Sequence, residues 1–484
     1  VRDALRSPTL FKTEALGGLV VALALIPEAI AFSIIAGVDP RVGLFSACTM
    51  AMSIAFLGGR PAMISAATGA VALVIAPVVR DHGVDYLIAT VLLGGLIQIL
   101  LAVAGVARLM RFIPRSVMVG FVNSLAILIF VAQIQHLLDV PWQVYPLTAL
   151  GLVILIGFPR ITRAVPAPLV AIVVLTAITV WAAITVPTVG DEGALPDGLP
   201  SLVLPDVPLS FQTLQIIAPY ALAMALVGLL ESLMTATLVD EITDHRTSKT
   251  REAWGQGGAN LITGLFGGMG GCAMIGQTMI NVKTSGARTR LSTFLAGFFL
   301  LVLVVGLGDV VEVIPMAALV AVMIMVAIGS FDWRSVRPRT LRRMPRSETT
   351  VMATTVAVVV TTHNLAIGVG VGVIVAMALF ARRVATLAQV DRVVETSDGS
   401  DVAVYRVTGE LFFASSSQLR YEFDYVNDPT RVVLDLTHSH IWDATSVAAL
   451  DAIAGKYASL GKSVSVVGLN QASAAMHGRL SGLA

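Results

Sequence analysis

Two carboxylates lie where a carboxylate is costly. Glu231 stands in GLLESLMTATLVDEIT, deep in a long apolar run, and Glu28 follows Pro27 in LALIPEAIAFSIIAG. An ionisable side chain in such a run is by default functional, marking an ion or proton path. Thr235 lies one turn beyond Glu231 on the same helix face. Two further phrases set polar groups in apolar surroundings, GGRPAMISAATGA over Gly58–Ala70 and GGCAMIGQTMINV over Gly270–Val282. Ser65, Thr68, Gln277 and Thr278 can donate hydrogen bonds there, while Ala66, Ala67, Gly69 and Gly276 leave room for a bound group. No cluster with metal-ligand spacing and no catalytic triad is evident, and HSHIWD near the end is too compact for a metal site. The chemistry expected is binding and passage of an ion, not catalysis, with no bound cofactor or metal.

The elements that must position these groups are membrane helices. The chain has 484 residues, 56% hydrophobic and 13% charged, with a mean hydropathy of +0.85. Fourteen apolar segments are expected, at about 14–37, 41–58, 62–79, 85–107, 115–136, 144–158, 165–186, 211–239, 253–269, 274–283, 286–307, 313–330, 347–362 and 364–382. Many approach the roughly 20 residues that a helix needs to cross a bilayer, and several are too short. The membrane region is expected over 1–383, a linker over 384–397, and a small soluble α/β domain over 398–484. In that domain the strand-like runs VAVYRV, RVVLDL and SVSVVGL alternate with helical stretches. It is expected to end early, lacking a last strand or helix. The formal net charge of +1 gives no bulk attraction for nucleic acid, so none is expected as a partner. Cys48 and Cys272 sit in apolar context and are not expected to form a structural disulfide. No cleavable signal peptide is read at the start, which is basic and amphipathic.

Loop charges orient the spans. With a cytoplasmic N-terminus, Arg60, Arg108, Arg111, Arg115, Arg160, Arg163, Arg246, Lys249, Arg251, Lys283, Arg288, Arg290 and the arginines of 334–346 fall on the inner side. The 187–210 loop, with Asp191, Glu192, Asp197 and Asp206 and no Lys or Arg, falls outside. This is the positive-inside bias, and an even span count returns the soluble domain to the cytoplasm. Asp240, Glu241 and Asp244 are expected as a wet rim at the cytoplasmic end.

The chain echoes itself. Ile113-Pro114 before VMVGF matches Ile314-Pro315 before LVAVM, Glu28 is answered by Glu231, and the two GG…AMI phrases correspond. Offsets of roughly 200–210 residues in one order predict a repeat of seven spans. Seven is odd, so the second copy would sit inverted in the membrane, as in secondary transporters. The two short segments would then be half-helices whose N-termini meet at mid-membrane, where free N–H groups suit an anion. A protonatable Glu231 beside that anion would make a proton co-transport site, because protonation removes the repulsion between them. If charged, Glu231 could instead hold Na⁺ with Thr235 and backbone carbonyls. Phe32, one turn beyond Glu28, could wall the cavity, and Glu28 is read equally as a gate, a coupling residue or a hydrogen-bonding partner of a neighbouring helix. Gln98, Asn123 and Gln133 are read as interhelical hydrogen bonders.

PEAIAFSIIAGVDPRVGLFSA, ISAATGA, FIPRSVMVGFVNSLAI, LLESLMTATLVDEIT and IGQTMINVKTSGARTRLS together resemble the SulP family of anion transporters and permeases. The ending is similar to the family's cytoplasmic STAS domain. The resemblance implies a seven-plus-seven inverted repeat, with a core of about 14–110 and 211–307 and a gate of about 113–186 and 313–382. It implies an anion site between spans 3 and 10, on Ala66–Gly69 and Gly276–Thr278, and an acidic position of span 8 on Glu231. It also implies a homodimer, multi-pass in a bacterial inner (plasma) membrane, moving sulfate, bicarbonate, chloride or a dicarboxylate such as fumarate. Animal members commonly carry a basic residue near the start of span 10, where an ungapped match puts Thr278. Without that charge a co-transported cation is expected, H⁺ first and Na⁺ second; an exchanger or channel is the remaining alternative. In the STAS-like part Asp443 is expected to cap a helix, with Thr445 nearest to the serine phosphorylated in soluble antagonists.

Overall fold

The computed structural model describes residues 6–108, 113–161, 166–193, 198–306, 308–385, 388–397 and 400–482. Arg111, Arg163 and Asp197, used above for orientation, lie outside the described residues. The chain divides into two compact units, Val1–Val373 and Ile374–Ala484.

The first unit is helical. It opens with α1 (Pro8–Ala36) and α2 (Pro40–Leu57), the two-residue strand β1 (Ser65–Ala66), α3 (Gly69–His82) and α4 (Val84–Val103). Next come α5 (Arg115–Ile134), α6 (Val144–Ile161), α7 (Ala167–Trp181), α8 (Phe211–Thr243) and α9 (Lys249–Leu265). After β2 (Cys272–Ala273) follow α10 (Ile275–Met279), α11 (Arg290–Gly306), α12 (Gly308–Glu312), α13 (Met316–Ser330), α14 (Pro338–Arg343), α15 (Arg346–Thr362) and the first part of α16 (Leu365–Ala385), which continues into the second unit. Local sequence explains many of the boundaries. Prolines occupy the first turns of α1 and α2, where an N–H has no partner to lose. Gly37 ends α1 in the left-handed conformation. Thr68, Ser210 and Ser248 cap α3, α8 and α9 with their side chains.

Seven helices are long and apolar enough to cross a membrane, and Ala167–Trp181, Arg290–Gly306 and Met316–Ser330 are shorter apolar helices. Among the described residues, length and composition thus identify seven candidate crossings of the fourteen segments expected. The shortfall falls where the apolar pattern is broken. Helix α3 ends in Arg80, Asp81 and His82, α9 reads GQGGANLITGL, and α10 has only 5 residues before its backbone widens into a π-helical turn over Ile280–Thr284.

Two groups of helices pack within this unit. Helix α4 lies on α8 and α9, α2 on α9 and α11, and α1 on α11 and α3. In the other group α5 lies on α13 and α15, and α6 on α7 and α13. Their interiors join in one apolar core that includes Leu25, Ile30, Ile75, Leu87, Phe121 and Leu319.

The second unit carries a sheet in the order β3 (Gln389–Ser397), β4 (Ser400–Leu411), β5 (Arg431–Ile441), β6 (Ser463–Val467). Strands β3 and β4 are antiparallel, and β4–β5–β6 are parallel. The parallel pairs need crossovers. The β4–β5 crossover contains α17 (Phe413–Leu419) and the β5–β6 crossover is α18 (Ala444–Ser459); α19 (Gln471–Leu480) follows β6. Tyr405, Leu434, Leu436, Ile453 and Tyr457 are fully buried between sheet and helices. Asp443 caps α18, accepting from Ser446 N at 2.9 Å, and Thr445 is exposed.

Candidate functional site

The two Gly-Gly phrases meet. Strands β1 and β2 pair antiparallel, Ser65 opposite Ala273 and Ala66 opposite Cys272. Each strand leads into a helix, α3 after β1 and α10 after β2. The pairing is close enough that only glycine fits at 271, where a Cβ would lie 2.0 Å from the Ala66 carbonyl oxygen.

Buried side chains from distant helices hold both crossovers in place. Asn260 of α9 pairs with Gly271 in both directions, its Nδ2 donating to O at 3.0 Å and its Oδ1 accepting from N at 2.8 Å. Its Nδ2 also donates to Gln98 Oε1 of α4 at 2.9 Å. Ser46 and Ser232 hydroxyls accept from Met269 N and Ala273 N. On the other crossover, Glu252 Oε2 accepts from Gly59 N and Arg60 N at 2.7 and 2.8 Å, and Asn281 donates to the Ala62 carbonyl at 2.9 Å. Irregular backbone this deep has no water to bond, so these partners are obligatory.

Beside this junction lies a cavity of about 470 Å³. Glu28 and Phe32 of α1, Thr68 and Gly69 at the head of α3, and Met274, Ile275 and Gly276 at the head of α10 line it. Glu231 and Met234 of α8 add to the wall, and Phe121, Leu125 and Ile129 of α5 with Val326 and Ser330 of α13 close the other side. Among the described lining residues there is no Lys, Arg or His. A Cβ on Gly276 would meet nothing within 4 Å, whereas one on Gly69 would come 2.9 Å from Phe32 Cε1. At α10 the N-cap Met274 offers no side-chain bond, so N–H groups of that first turn remain free of a cap.

The expected site residues separate into two sets. Phe32, Thr68, Gly69, Gly276, Glu28 and Glu231 face the cavity, and Gln277 is buried in α10 beside Gly276. Ser65, Ala66, Ala67 and Thr278 are buried in the scaffold instead. The Ser65 hydroxyl accepts from Gln256 Nε2 at 2.7 Å, and Thr278 Oγ1 accepts from Ile64 N at 3.0 Å, tying α10 to the opposite crossover. Thr235 donates to the Glu231 backbone carbonyl at 2.8 Å and is absent from the cavity wall. Asp240 differs from the wet rim expected of it. It is an ion-pair centre, with Arg60 at 3.2 Å and Lys249 at 2.8 Å, and Arg60 is 8% exposed.

One participant carried no sequence signal of its role. Cys272 Sγ lies 3.1 Å from Thr68 Oγ1 and donates to Glu231 Oε2 at 2.9 Å. The thiol thus bridges the cap of α3 and the buried carboxylate of α8. Only the strand pair, which sets Cys272 opposite Ala66, brings it there.

The sequence matches the sulfate permease family over residues 11–148 and 140–355. The chain belongs to that family. Residues 392–483 match the STAS domain. The chain is 51% identical over 462 residues, 96% of its own length and 95% of the other's, to the putative sulfate transporter YbaR of Bacillus subtilis. In fold it is similar to the transmembrane domain of a cyanobacterial bicarbonate transporter, BicA, at 24% identity and a TM-score of 0.65, covering 76% of this chain and 98% of that one. It is also similar to the murine solute carrier 26 family member A9 anion transporter in the inward-facing state, at 17% identity and a TM-score of 0.81, covering 96% and 87%. As a sulfate permease family member it is a multi-pass membrane protein and a secondary active anion transporter, not an enzyme. Its bacterial relative accords with a bacterial inner membrane.

Proposed function

We propose that the cavity beside the β1–β2 junction is the anion site of a proton-coupled symporter working by alternating access. One observation carries this reading. The cavity sets two carboxylates, Glu28 and Glu231, beside the heads of α3 and α10, with no basic side chain among the described residues of its wall. Helix N-termini attract an anion, but two ionised carboxylates would oppose it. At a separation of about 5 Å and an effective dielectric near 20, each unit-charge pair costs about 3 kcal/mol. A cation must therefore enter with the anion. A proton on Glu231 removes its share of that repulsion without needing further ligands.

Sodium is less well served. Thr235 is absent from the cavity wall, the Gly271 carbonyl already accepts from Asn260, and Glu231 Oε2 faces sulfur rather than oxygen. The substrate proposed is an inorganic oxyanion or a dicarboxylate. The relative at 51% identity, a putative sulfate transporter, makes sulfate the first to test. The antiparallel meeting of two similar phrases, each heading a helix, supports an inverted repeat of seven plus seven spans. A homodimer is proposed on the family resemblance.

The test is uptake by proteoliposomes of sulfate, bicarbonate, fumarate, succinate and chloride under imposed pH or Na⁺ gradients. Accumulation driven by an inward proton gradient without Na⁺ is expected. Accumulation driven only by Na⁺, or equal flux without either gradient, would overturn the coupling.

A further inference from the structure

We infer that Cys272 reports the protonation of Glu231 to Thr68, and so sets whether the cavity offers an anion a hydrogen-bond donor or a lone pair. This deepens, and rests on, the reading of the cavity as a proton-coupled anion site. The three side chains stand in line, Thr68 Oγ1 to Cys272 Sγ to Glu231 Oε2, at 3.1 and 2.9 Å. Thr68 and Glu231 line the cavity, and Cys272 between them is fully buried. Thr68 Oγ1 also accepts from Val71 N at 3.3 Å.

Hydrogen bookkeeping gives this line two states. The hydroxyl and the thiol have one hydrogen each, and the ionised carboxylate has none. With Glu231 ionised, Sγ–H donates to Oε2 and the Thr68 hydroxyl donates to Sγ. Thr68 then turns a lone pair toward the cavity. When Glu231 takes up the co-transported proton on Oε2, that O–H donates to Sγ. The thiol hydrogen rotates to Thr68 Oγ1, and the Thr68 O–H is released toward the cavity. One proton enters, none leaves the cysteine or the threonine, and the other changes are rotations. A thiol is a weak donor and acceptor, so the link reverses at little cost.

The surroundings leave this line isolated. Helix α8 is packed against α3, α4, α9, α10 and β2. Ionisable side chains of α3 (Arg80, Asp81, His82) sit in its last turn, and those of α4 (Asp85, Tyr86) and α9 (Lys249, Arg251, Glu252) in their first turns. Helix α10 has none. Those facing Glu231 are Cys272 from β2 and Glu28 across the shared cavity.

The test is a mutant cycle read against pH. Equilibrium binding of sulfate, chloride and fumarate is measured on the purified full chain at mildly acidic and mildly alkaline pH. In the natural protein, Thr68→Val should weaken binding about tenfold at acidic pH, where a donor to a charged ligand is lost, and much less at alkaline pH. In a Cys272→Ala background the Thr68→Val loss should become the same at both pH values. In Cys272→Ser, which keeps one hydrogen and acceptor lone pairs, the pH dependence should return. A Thr68→Val loss in Cys272→Ala that still varies with pH as in the natural protein overturns the relay. Affinity of the natural protein that does not vary with pH overturns coupling through Glu231, and no saturable binding of any probe overturns the site itself. Thermal melting shows which variants are folded, and Thr68→Ser, which keeps the hydroxyl, should keep the pH dependence that Thr68→Val loses.

Discussion

Replacing Gly271 by alanine should separate the two halves of the site. The new Cβ would lie 2.0 Å from the Ala66 carbonyl oxygen, 2.6 Å from its carbonyl carbon and 3.1 Å from Ala67 N. All three are backbone atoms, so no side chain can rotate away. A carbon–oxygen contact needs about 3.3 Å, and β1 must therefore retreat by about 1 Å. Overpacking of this kind costs about 1–3 kcal/mol, and each strained ladder bond between β1 and β2 adds about 1 kcal/mol. A loss near 3 kcal/mol is expected, with the heads of α3 and α10 no longer in register. Gly276→Ala is the matched control, since its Cβ meets nothing within 4 Å. Both variants should be melted in detergent and assayed for gradient-driven uptake. Gly271→Ala should melt early and transport poorly, while Gly276→Ala should melt like the natural protein and lose affinity for larger anions first. A Gly271→Ala protein with unchanged melting and uptake would refute the close strand pairing.

Further outcomes are expected elsewhere. Glu231→Gln should keep anion binding, because it imitates the protonated carboxyl, and should lose proton-driven accumulation; reconstituted uptake under a pH gradient measures this, and intact accumulation would turn attention to Glu28. Asp428 in the second unit accepts from Arg392 Nε at 2.8 Å, from Tyr405 at 2.7 Å and from Tyr457. Asp428→Ala should therefore cost about 3 kcal/mol, seen as early proteolysis of the C-terminal unit within the full chain. Single cysteines placed at 198–210 should label from outside intact cells, whereas those at 334–346 should not; Cys48 and Cys272 are buried and should add little background. Deleting 398–484 should leave anion binding measurable, since every proposed ligand group precedes Lys283. Complete loss in a folded truncation would contradict that.

Much of the site was legible because its parts are costly or repeated. A glutamate in an apolar run needs a reason, and Glu231 faces the cavity. The paired GG…AMI phrases announced a junction before the strand pair was seen. What sequence could not assign was side-chain direction around that junction. Thr68 and Gly69 face the cavity, while Ser65, Ala66 and Ala67, one to three residues before Thr68, are buried in scaffold. Residues in a short strand point to alternate faces, and two residues are too few to reveal the period. The holding side chains were invisible for another reason. Asn260 with Gln98 and Glu252 with Gly59 are contacts between positions 162 and 193 residues apart, and nothing local marks them. Glu14 is a similar case, accepting from Arg288 N at 2.8 Å near the head of α11. The span count was read from apolar runs, and helix length alone does not identify a crossing where short helices carry glycine, asparagine or charge.

The strand pair also bears on how such a protein can change over generations. Backbone hydrogen bonds are indifferent to the side chains flanking them, glycine at 271 excepted. Mutations at the cavity-facing positions beside β2, 274–276, can therefore alter the proposed anion site without dismantling the frame that presents it. The Gly276 position is the most permissive, because a side chain there enters open space. A lineage could trade one anion for another at a few such positions while the interlock between its two halves is inherited unaltered.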